Sequence, residues 1–339
     1  MHMVDALLSP AVGGAMCVVS AAAGAYSVAK IKKDDLSEKK IPIMAIMGAF
    51  VFAAQMINFT IPGTGSSGHI GGGILLAGML GGFPAFLSIC AVLIIQCLFF
   101  ADGGLLALGC NIFNMGVIPC LIIYPILFKP FVKNGFTVSK INIASVVSVI
   151  VGLQLGAFAV VLETQASGIT ELPFATFAAL MQPIHLAIGI GEGIITAIVL
   201  TFVYKIRPEI LENATEGKLI EQTVSLKKVL VSLTIVTLVT GGLLSLFASA
   251  YPDGLEWAME KTAGTAELEV KETLLESAAK IQEATAFMPD YDFKDSEEGS
   301  IIGTSVAGIL GGSIVFLIAG ATGLLISTIK KSKKKRGEG

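Results

Sequence analysis

The amino-acid sequence predicts an all-α integral membrane protein. The predicted fold has a seven-helix transmembrane core with an extracytoplasmic N-terminus, followed by two transmembrane helices that flank an extracytoplasmic loop. Three observations lead to this fold class. Of the 339 residues, 54% are apolar and only 14% are charged, and the mean hydropathy is +0.80, which exceeds what a soluble domain carries. Long uncharged windows recur along the chain, and Lys and Arg are confined to a few segments between them.

The uncharged windows are long enough to cross a bilayer. As helices, each can span a hydrocarbon core of roughly 30 Å, and clear examples cover residues 7–29, 41–61, 141–162, 229–250 and 301–329. Peptide groups in lipid must be hydrogen-bonded within the protein, so a spanning segment is either a helix or a barrel strand. Strict two-residue alternation is absent, which favours helices.

The positions of Lys and Arg predict the topology. They cluster in four segments that the positive-inside rule places in the cytoplasm, namely residues 30–40, 129–140, 205–228 and 330–336. The N-terminus and the glycine-rich turn 62–73 then lie outside. From this turn to the cytoplasmic cluster at residue 129 the chain must cross the membrane an odd number of times. A break at residues 81–84 (Gly-Gly-Phe-Pro) therefore separates a short third helix from a fourth helix that ends at residue 100.

Nine predicted crossings account for every basic cluster. Besides the short third helix and the fourth, they cover residues 7–29, 41–61, 105–128, 141–163, 177–205, 229–250 and 301–329. Nineteen of the 23 basic residues are then inside, and the other four lie in the loop 251–300. Within that loop, residues 266–286 have the apolar spacing of a short amphipathic helix.

The same pattern divides the chain into domains. Residues 1–205 form the predicted core, and the charged segment 206–228 is a cytoplasmic linker. Residues 229–330 form a second domain that contains the extracytoplasmic loop, and residues 331–339 are a basic cytoplasmic tail.

Histidine is rare, and two of the three histidines are predicted to face the same outer compartment. The Met1 amine and the His2 amide nitrogen can close a five-membered chelate ring around a cation, and His2 Nδ1 can close a six-membered ring. His69, in a glycine-rich turn, can supply a fourth nitrogen. A planar set of nitrogens suits Ni(II), Cu(II) or low-spin Co(II) better than Zn or Mg. We therefore predict Met1, His2 and His69 as metal ligands.

Each histidine also has an ordinary interpretation. A histidine at position 2 occurs by chance, and a histidine in a glycine-rich turn is more often a capping or interfacial residue. Their predicted placement on one face, in a chain so poor in histidine, favours the pair as ligands over either residue alone.

Several other polar residues are candidates for supporting the ligands, because burying such groups in a membrane is expensive and metal ligands need acceptors behind them. They are Asn58, Ser66, Ser67, Asp102, Glu163 and His185. Taken singly, helix capping or snorkelling explains Asn58, Asp102 and Glu163. A mutual packing or hydrogen-bonding role explains His185 with Glu192, which lies seven residues later on the same helix face.

The sequence predicts neither an enzyme nor a prosthetic group. No GxxxxGK[ST] motif occurs, so the chain does not hydrolyse ATP by the P-loop route and any such energy comes from a partner. A hydrolase that uses Ser66 or Ser67 with His69 is disfavoured, because these residues share one flexible turn without a third orienting group. A secondary divalent-cation permease without ATPase partners is the alternative, although intramembrane carboxylates are scarce.

Four stretches carry a family resemblance: MHMVDALLSP at residues 1–10, FVFAAQMINFTIPGTGSSGHIGGG at 50–73, LFFADGGLLALGCNIFNMG at 98–116 and HLAIGIGEGIITA at 185–197. They resemble the CbiM/NikM family, the substrate-specific membrane components of energy-coupling-factor cobalt and nickel importers. The resemblance covers residues 1–205. PDGLEWA at residues 252–258 resembles the small companion subunit of these importers (CbiN/NikN), so the chain looks like a fusion. Val4 and Ala6 stand where the family often has Pro and Gly.

The resemblance implies a function and partners. It implies that Met1, His2 and His69 bind a transported Co²⁺ or Ni²⁺ ion, which serves cobalamin synthesis or nickel enzymes. The implied partners are a transmembrane coupling protein and two ATP-binding cassette ATPase subunits, contacted from the cytoplasmic side of a bacterial or archaeal cell membrane. Membrane lipid surrounds the chain, and no nucleic acid is involved.

Overall fold

The computed structural model describes residues 1–31, 40–170, 172–216, 225–265, 273–294 and 301–335. Over these residues the chain forms twelve helices of four or more α-helical residues, which we number in chain order. They are α1 (Pro10–Lys30), α2 (Lys40–Gln55), α3 (Gly73–Leu80), α4 (Gly82–Phe100), α5 (Leu108–Val132), α6 (Val138–Ser167), α7 (Phe174–Ile206), α8 (Pro208–Glu216), α9 (Lys227–Gly242), α10 (Gly254–Ala263), α11 (Thr273–Thr285) and α12 (Ile301–Lys335). The middle of α5, Phe113–Phe128, is wound as a π helix and contains two prolines.

Six of the described helices are long and apolar enough to cross a membrane: α1, α4, α5, α6, α7 and α12. Helix α2 is apolar but has 16 residues. Helix α3 has eight residues, about 12 Å at the helical rise, so it cannot cross alone. The chain is thus a multi-pass helical membrane protein, and the count of nine crossings stays a prediction.

The all-α prediction is wrong at one place, where the chain forms a two-stranded antiparallel hairpin of β1 (Phe59–Ile61) and β2 (Ser66–Gly68). Helix α2 was predicted to run to residue 61 but ends at Gln55. The turn between the strands needs glycine, because Gly63 and Gly65 have φ angles of 77° and 74°. Apolar composition alone did not distinguish these strand residues from more helix.

The predicted linker and the predicted extracytoplasmic loop both contain helices. The predicted linker 206–228 includes α8, and its residues 217–224 lie outside the described residues. The loop 251–300 contains α10 and α11. The predicted amphipathic helix over 266–286 corresponds to α11 in part, and residues 266–272 lie outside the described residues. In the second domain, the predicted helix over 229–250 ends at Gly242 and is followed by a 3-10 turn, Leu244–Phe247.

The two domains pack along α2. Helices α9 and α12 both contact α2 and each other. Small residues bring the helices close, since a Cβ atom added to Gly308 would lie 2.5 Å from the Gly241 carbonyl oxygen. The second domain therefore lies directly against the core.

Lysines cluster at one end of the bundle. Three lysines, Lys30, Lys40 and Lys129, line one cavity of about 350 Å³ together with Gly82. Helix α4 runs from Gly82 to Phe100, and its 19 residues span about 28 Å. The loop after α4 contacts the N-terminus, so the lysine cavity and the N-terminus lie at opposite ends of the bundle.

The close contact between α1 and α5 predicts the effect of a single methyl group. A Cβ atom at Gly109 would lie 2.2 Å from the Cys17 backbone nitrogen. We expect Gly109→Ala to lower the free energy of unfolding by about 1–3 kcal/mol, because helix backbones must separate. Thermal unfolding in detergent measures this effect.

The matched control for this prediction is Gly14→Ala on α1, where an added Cβ meets nothing within 4 Å. It should be neutral or should stabilise the helix by up to about 1 kcal/mol. Equal unfolding midpoints for the two variants would contradict the contact.

Candidate metal centre

The first residues of the chain fold back into one end of the bundle. The Met3 backbone N–H donates to Asn111 Oδ1 at 2.7 Å, and the Met3 carbonyl accepts from Asn111 Nδ2 at 3.1 Å and from the Gly104 N–H at 2.9 Å. The carboxylate of Asp5 accepts from the Ala107 N–H at 2.9 Å. These contacts fix the backbone directly after Met1 and thereby position its amine.

The three predicted ligands converge at this end of the bundle. The Met1 amine nitrogen lies 3.3 Å from His69 Nε2. The rings of His2 and His69 stack, with centroids 5.1 Å apart and planes inclined by 20°. Met1 is 6% exposed and His69 is 9% exposed, so the group is largely shielded from solvent.

His69 follows β2 and has a defined orientation. Its Nδ1 atom lies 3.0 Å from the Ile70 carbonyl oxygen. A carbonyl only accepts, so the ring proton resides on Nδ1 and Nε2 presents a lone pair toward the Met1 amine. The second and third residues after His69 are held from α7, because Glu192 accepts the Gly71 and Gly72 N–H groups at 2.8 Å each.

His2 is held between two side chains. Its Nε2 atom lies 3.2 Å from Gln96 Oε1, and Nδ1 lies 3.1 Å from Asp102 Oδ1. Oxygen atoms therefore lie beside both ring nitrogens, and ligation by Nδ1, the atom that the predicted chelate uses, requires the neutral tautomer with its proton on Nε2. Burial raises the pKa of Asp102. The Tyr291 hydroxyl donates to the other Asp102 oxygen.

Both imidazoles are in the protonation state that metal ligation needs. Burial, and secondly the charge of the Met1 ammonium, lowers the pKa of His2 and of His69 to about 3. Both rings are therefore neutral at neutral pH, and an incoming cation does not compete with a ring proton for either lone pair.

A residue that sequence reasoning missed completes the centre. The Met1 ammonium donates to Asp253 Oδ2, and His69 Nε2 lies 4.0 Å from the same oxygen. Burial by itself would raise the pKa of Asp253, but the charge of the Met1 ammonium, together with the hydrogen bonds that the carboxylate accepts from Met1 and Glu256, holds the pKa below its usual value. The other oxygen of Asp253 caps α10 by accepting from the Leu255 and Glu256 N–H groups. In the sequence, this residue looks only like a helix cap.

The hairpin docks the second domain beside the centre. The Ser67 N–H donates to the Pro252 carbonyl at 2.8 Å, and the Ser67 hydroxyl donates to the Tyr251 carbonyl at 2.7 Å. The Ser66 hydroxyl lies 3.4 Å from the Pro252 carbonyl oxygen. The side chain of the single tryptophan, Trp257, donates to the Thr64 carbonyl at 3.0 Å. The structure thus places Ser66 and Ser67 at the contact between the domains.

The remaining candidates lie at different distances from the ligands. Asn58 belongs to the domain contact, since its carbonyl accepts the Ser249 N–H at 2.7 Å. Glu163 accepts from Asn114 Nδ2 at 2.8 Å, and Asn114 in turn contacts the Met3 sulfur. His185 and Met1 line the same small void, whereas Glu192 is engaged with the glycines after His69.

The donor set differs from a cluster of metal-binding side chains. Over the described residues, no group of three or more His, Cys, Asp or Glu side chains is arranged to hold a metal ion. The predicted ligand set differs from such a cluster, because it includes the Met1 amine and the His2 amide nitrogen as well as the imidazoles. Such a set contains only nitrogen, which is chemistry suited to late first-row transition metals.

Six of the described helices are long and apolar enough to cross a membrane, and a buried, nitrogen-rich group of Met1, His2 and His69 lies at one end of the bundle. The comparison with known proteins identifies the family. The chain belongs to the CbiM family, because residues 2–210 match its model, described as the cobalt uptake substrate-specific transmembrane region. Residues 227–328 match the PDGLE domain.

Relatives and solved structures agree with this family. A protein of Archaeoglobus fulgidus, assigned as a fused nickel transport protein NikMN, is 32% identical over 220 residues, which are 65% of this chain and 71% of the relative. The cobalt transport protein CbiM of Kyrpidia tusciae is 29% identical over 59% of this chain and 80% of its own length. A crystal structure titled as a truncated transition metal transporter superposes with a TM-score of 0.53 at 29% identity, over 61% of this chain and 99% of that one. The resemblance identified from the sequence, including the fused PDGLE part, is confirmed.

The Met1–Asp253 ion pair predicts how charge removal affects stability. We expect Asp253→Asn to lower the free energy of unfolding by about 1–3 kcal/mol, because the amide keeps the helix cap but leaves a shielded ammonium without its counter-charge. Thermal unfolding and the emission wavelength of Trp257 measure the effect.

The matched control for this variant is Glu260→Gln, which removes the same charge from an exposed position on the same helix. It should change stability by less than about 0.5 kcal/mol. If both variants unfold at the same temperature, the ion pair makes no net contribution to stability.

Proposed function

We propose that this chain is the substrate-binding transmembrane subunit of an ATP-driven, energy-coupling-factor importer for a divalent transition-metal ion, Co²⁺ or Ni²⁺. The observation that carries the proposal is the buried approach of the Met1 amine to His69 Nε2 at 3.3 Å, beside the stacked His2 ring. Membership of a cobalt and nickel transport family and a structural neighbour titled as a transition metal transporter support it.

The proposed ligands are four nitrogens: the Met1 amine, the His2 amide nitrogen, His2 Nδ1 and His69 Nε2. His69 Nε2 already presents its lone pair. Ligation by His2 Nδ1 exchanges its contact with Asp102 for a bond to the ion, and ligation by the amine exchanges its contact with Asp253. The amine and the amide must also lose protons, so a cation of high affinity for nitrogen is required.

The proposed orientation places the centre outside the cell and the lysine-lined cavity in the cytoplasm. The positive-inside rule supports this orientation, as does the position of Lys30, Lys40 and Lys129 at the end of the bundle opposite the N-terminus. A chain without a P-loop motif must obtain ATP-derived energy from other subunits. The coupling protein and the ATPases then act at the lysine end.

The nitrogen chelate predicts a strict requirement for a free amine at Met1. Calorimetry of the purified chain with Co(II) and with Ni(II) should give one site, and the stronger binding identifies the preferred ion. We expect one residue added before Met1, or His2→Ala or His69→Ala, to weaken binding by about 100-fold or more, because a chelate nitrogen is lost. Quenching of Trp257, the only tryptophan, gives a second readout.

The control for the extension is the same residue added after Gly339, which leaves the amine intact. Affinity unchanged by the N-terminal extension would contradict the chelate. The same titrations with Zn(II) should show weaker binding, since Zn prefers tetrahedral sites.

The importer assignment predicts that uptake depends on ATP hydrolysis by other subunits. Cells that express this chain with its coupling protein and ATPases should accumulate ⁵⁷Co or ⁶³Ni, and hydrolysis-deficient ATPases should abolish the accumulation. Gradient-driven uptake by this chain alone would instead identify a secondary permease.

A further inference from the structure

His185 on α7 has an unused nitrogen inside the protein. Its Nδ1 atom lies 2.8 Å from the Met181 carbonyl oxygen, one helical turn earlier. The ring proton therefore resides on Nδ1, and Nε2 carries a lone pair. This Nε2 atom is buried without a hydrogen-bond partner, in a residue that is only 1% exposed. A buried acceptor without a hydrogen-bond partner destabilises the fold. A ligand bound to Nε2 would remove this cost.

The surroundings of His185 connect it to the metal centre. A void of about 10 Å³, close to the space of a single water molecule, is lined by His185 together with Met1, His69 and Asp253. The Nε2 atom faces the backbone of Gly254, since a Cβ added there would lie 3.3 Å from it. A glycine at this position leaves the nitrogen uncovered.

His185 and His69 share one arrangement. In both, Nδ1 is engaged by a backbone carbonyl and Nε2 is directed into the protein near Met1. A ring N–H donated to a carbonyl is the usual support behind a metal-ligating histidine, because it fixes the tautomer and the ring orientation.

The void beside His185 continues deeper into the bundle. A second void of about 20 Å³ shares Met1, Gly71 and Met115 with the first, and it also contacts Asn114 and Glu192. The Oδ1 atom of Asn114 is likewise buried without a partner. Each of the two voids beside Met1 is thus lined by a residue with an unpartnered acceptor atom, His185 Nε2 in the first and Asn114 Oδ1 in the second.

We propose that His185 is an inner nitrogen donor, which takes the ion from the outer chelate at the start of its passage through the protein. This inference rests on the proposed function. The step is a ligand exchange: a bond from the ion to an outer nitrogen breaks as the bond to His185 Nε2 forms, the oxidation state stays constant, and no proton leaves His185.

The test compares His185→Gln and His185→Ala with Leu186→Ala, which alters the neighbouring, more exposed position on the same helix. Equilibrium affinity for Co(II) is measured by calorimetry on the purified chain, and initial uptake of ⁵⁷Co is measured in the full complex with its partners. Because the outer ligands are intact, both His185 variants should bind Co(II) within about threefold of the parent. Their uptake should fall about tenfold or more.

Glutamine separates ligation from a structural role. It is similar in length and can still donate to the Met181 carbonyl, but it offers no imidazole nitrogen. Recovery of uptake in His185→Gln alone would overturn the proposal, as would full uptake in both variants or loss of equilibrium binding in both. Leu186→Ala should behave as the parent.

Failure of the proposed function gives a different result. In that case the parent chain itself binds neither Co(II) nor Ni(II), or takes up the ion without ATPases. A direct readout complements uptake: His69→Ala should keep weak Co(II) absorption bands that the double variant His69→Ala/His185→Ala loses. Identical spectra of these two variants would contradict ligation by His185.

Discussion

The structure depends on the burial of one positive charge. The Met1 ammonium is nearly inaccessible to solvent, and an unpaired charge at such a position would cost several kcal/mol. Two constraints make its burial tolerable. The Asp253 carboxylate supplies the counter-charge, and the hydrogen bonds between Met3 and Asn111 hold the following backbone. A cation bound at this place, as proposed, would have to replace those interactions.

The lipid environment made most of the fold predictable. In a membrane, a helix satisfies the hydrogen bonds of its own backbone, so a long uncharged window predicts a helix. The windows at 141–163 and 177–205 correspond to helices α6 (Val138–Ser167) and α7 (Phe174–Ile206) in the structure. The hairpin after α2 was missed, because Phe59–Ile61 is as apolar as the helix before it. Its pairing with Ser66–Gly68 is set by two glycines in the turn, a signal that also fits an irregular loop.

The candidate centre was predictable where chemistry lies in the sequence itself. The sequence predicted that three groups lie close together: the terminal amine, the adjacent histidine and the histidine of the glycine-rich turn. The structure brings Met1, His2 and His69 together. Asp253, Gln96 and Tyr291 could not be found in this way. Their roles arise from packing between segments about 94 to 252 positions apart in the chain, and neither spacing nor composition encodes such contacts.

The fusion of the two domains has a consequence for how Asp253 reaches Met1. Asp253 reaches Met1 from the PDGLE domain, which follows the core in the same polypeptide. A segment of the same polypeptide docks as an intramolecular event, which does not depend on the concentration of the protein. Docking of the PDGLE turn is thus independent of how densely the protein populates the membrane, and each copy of the core carries its own Asp253 in a fixed one-to-one ratio.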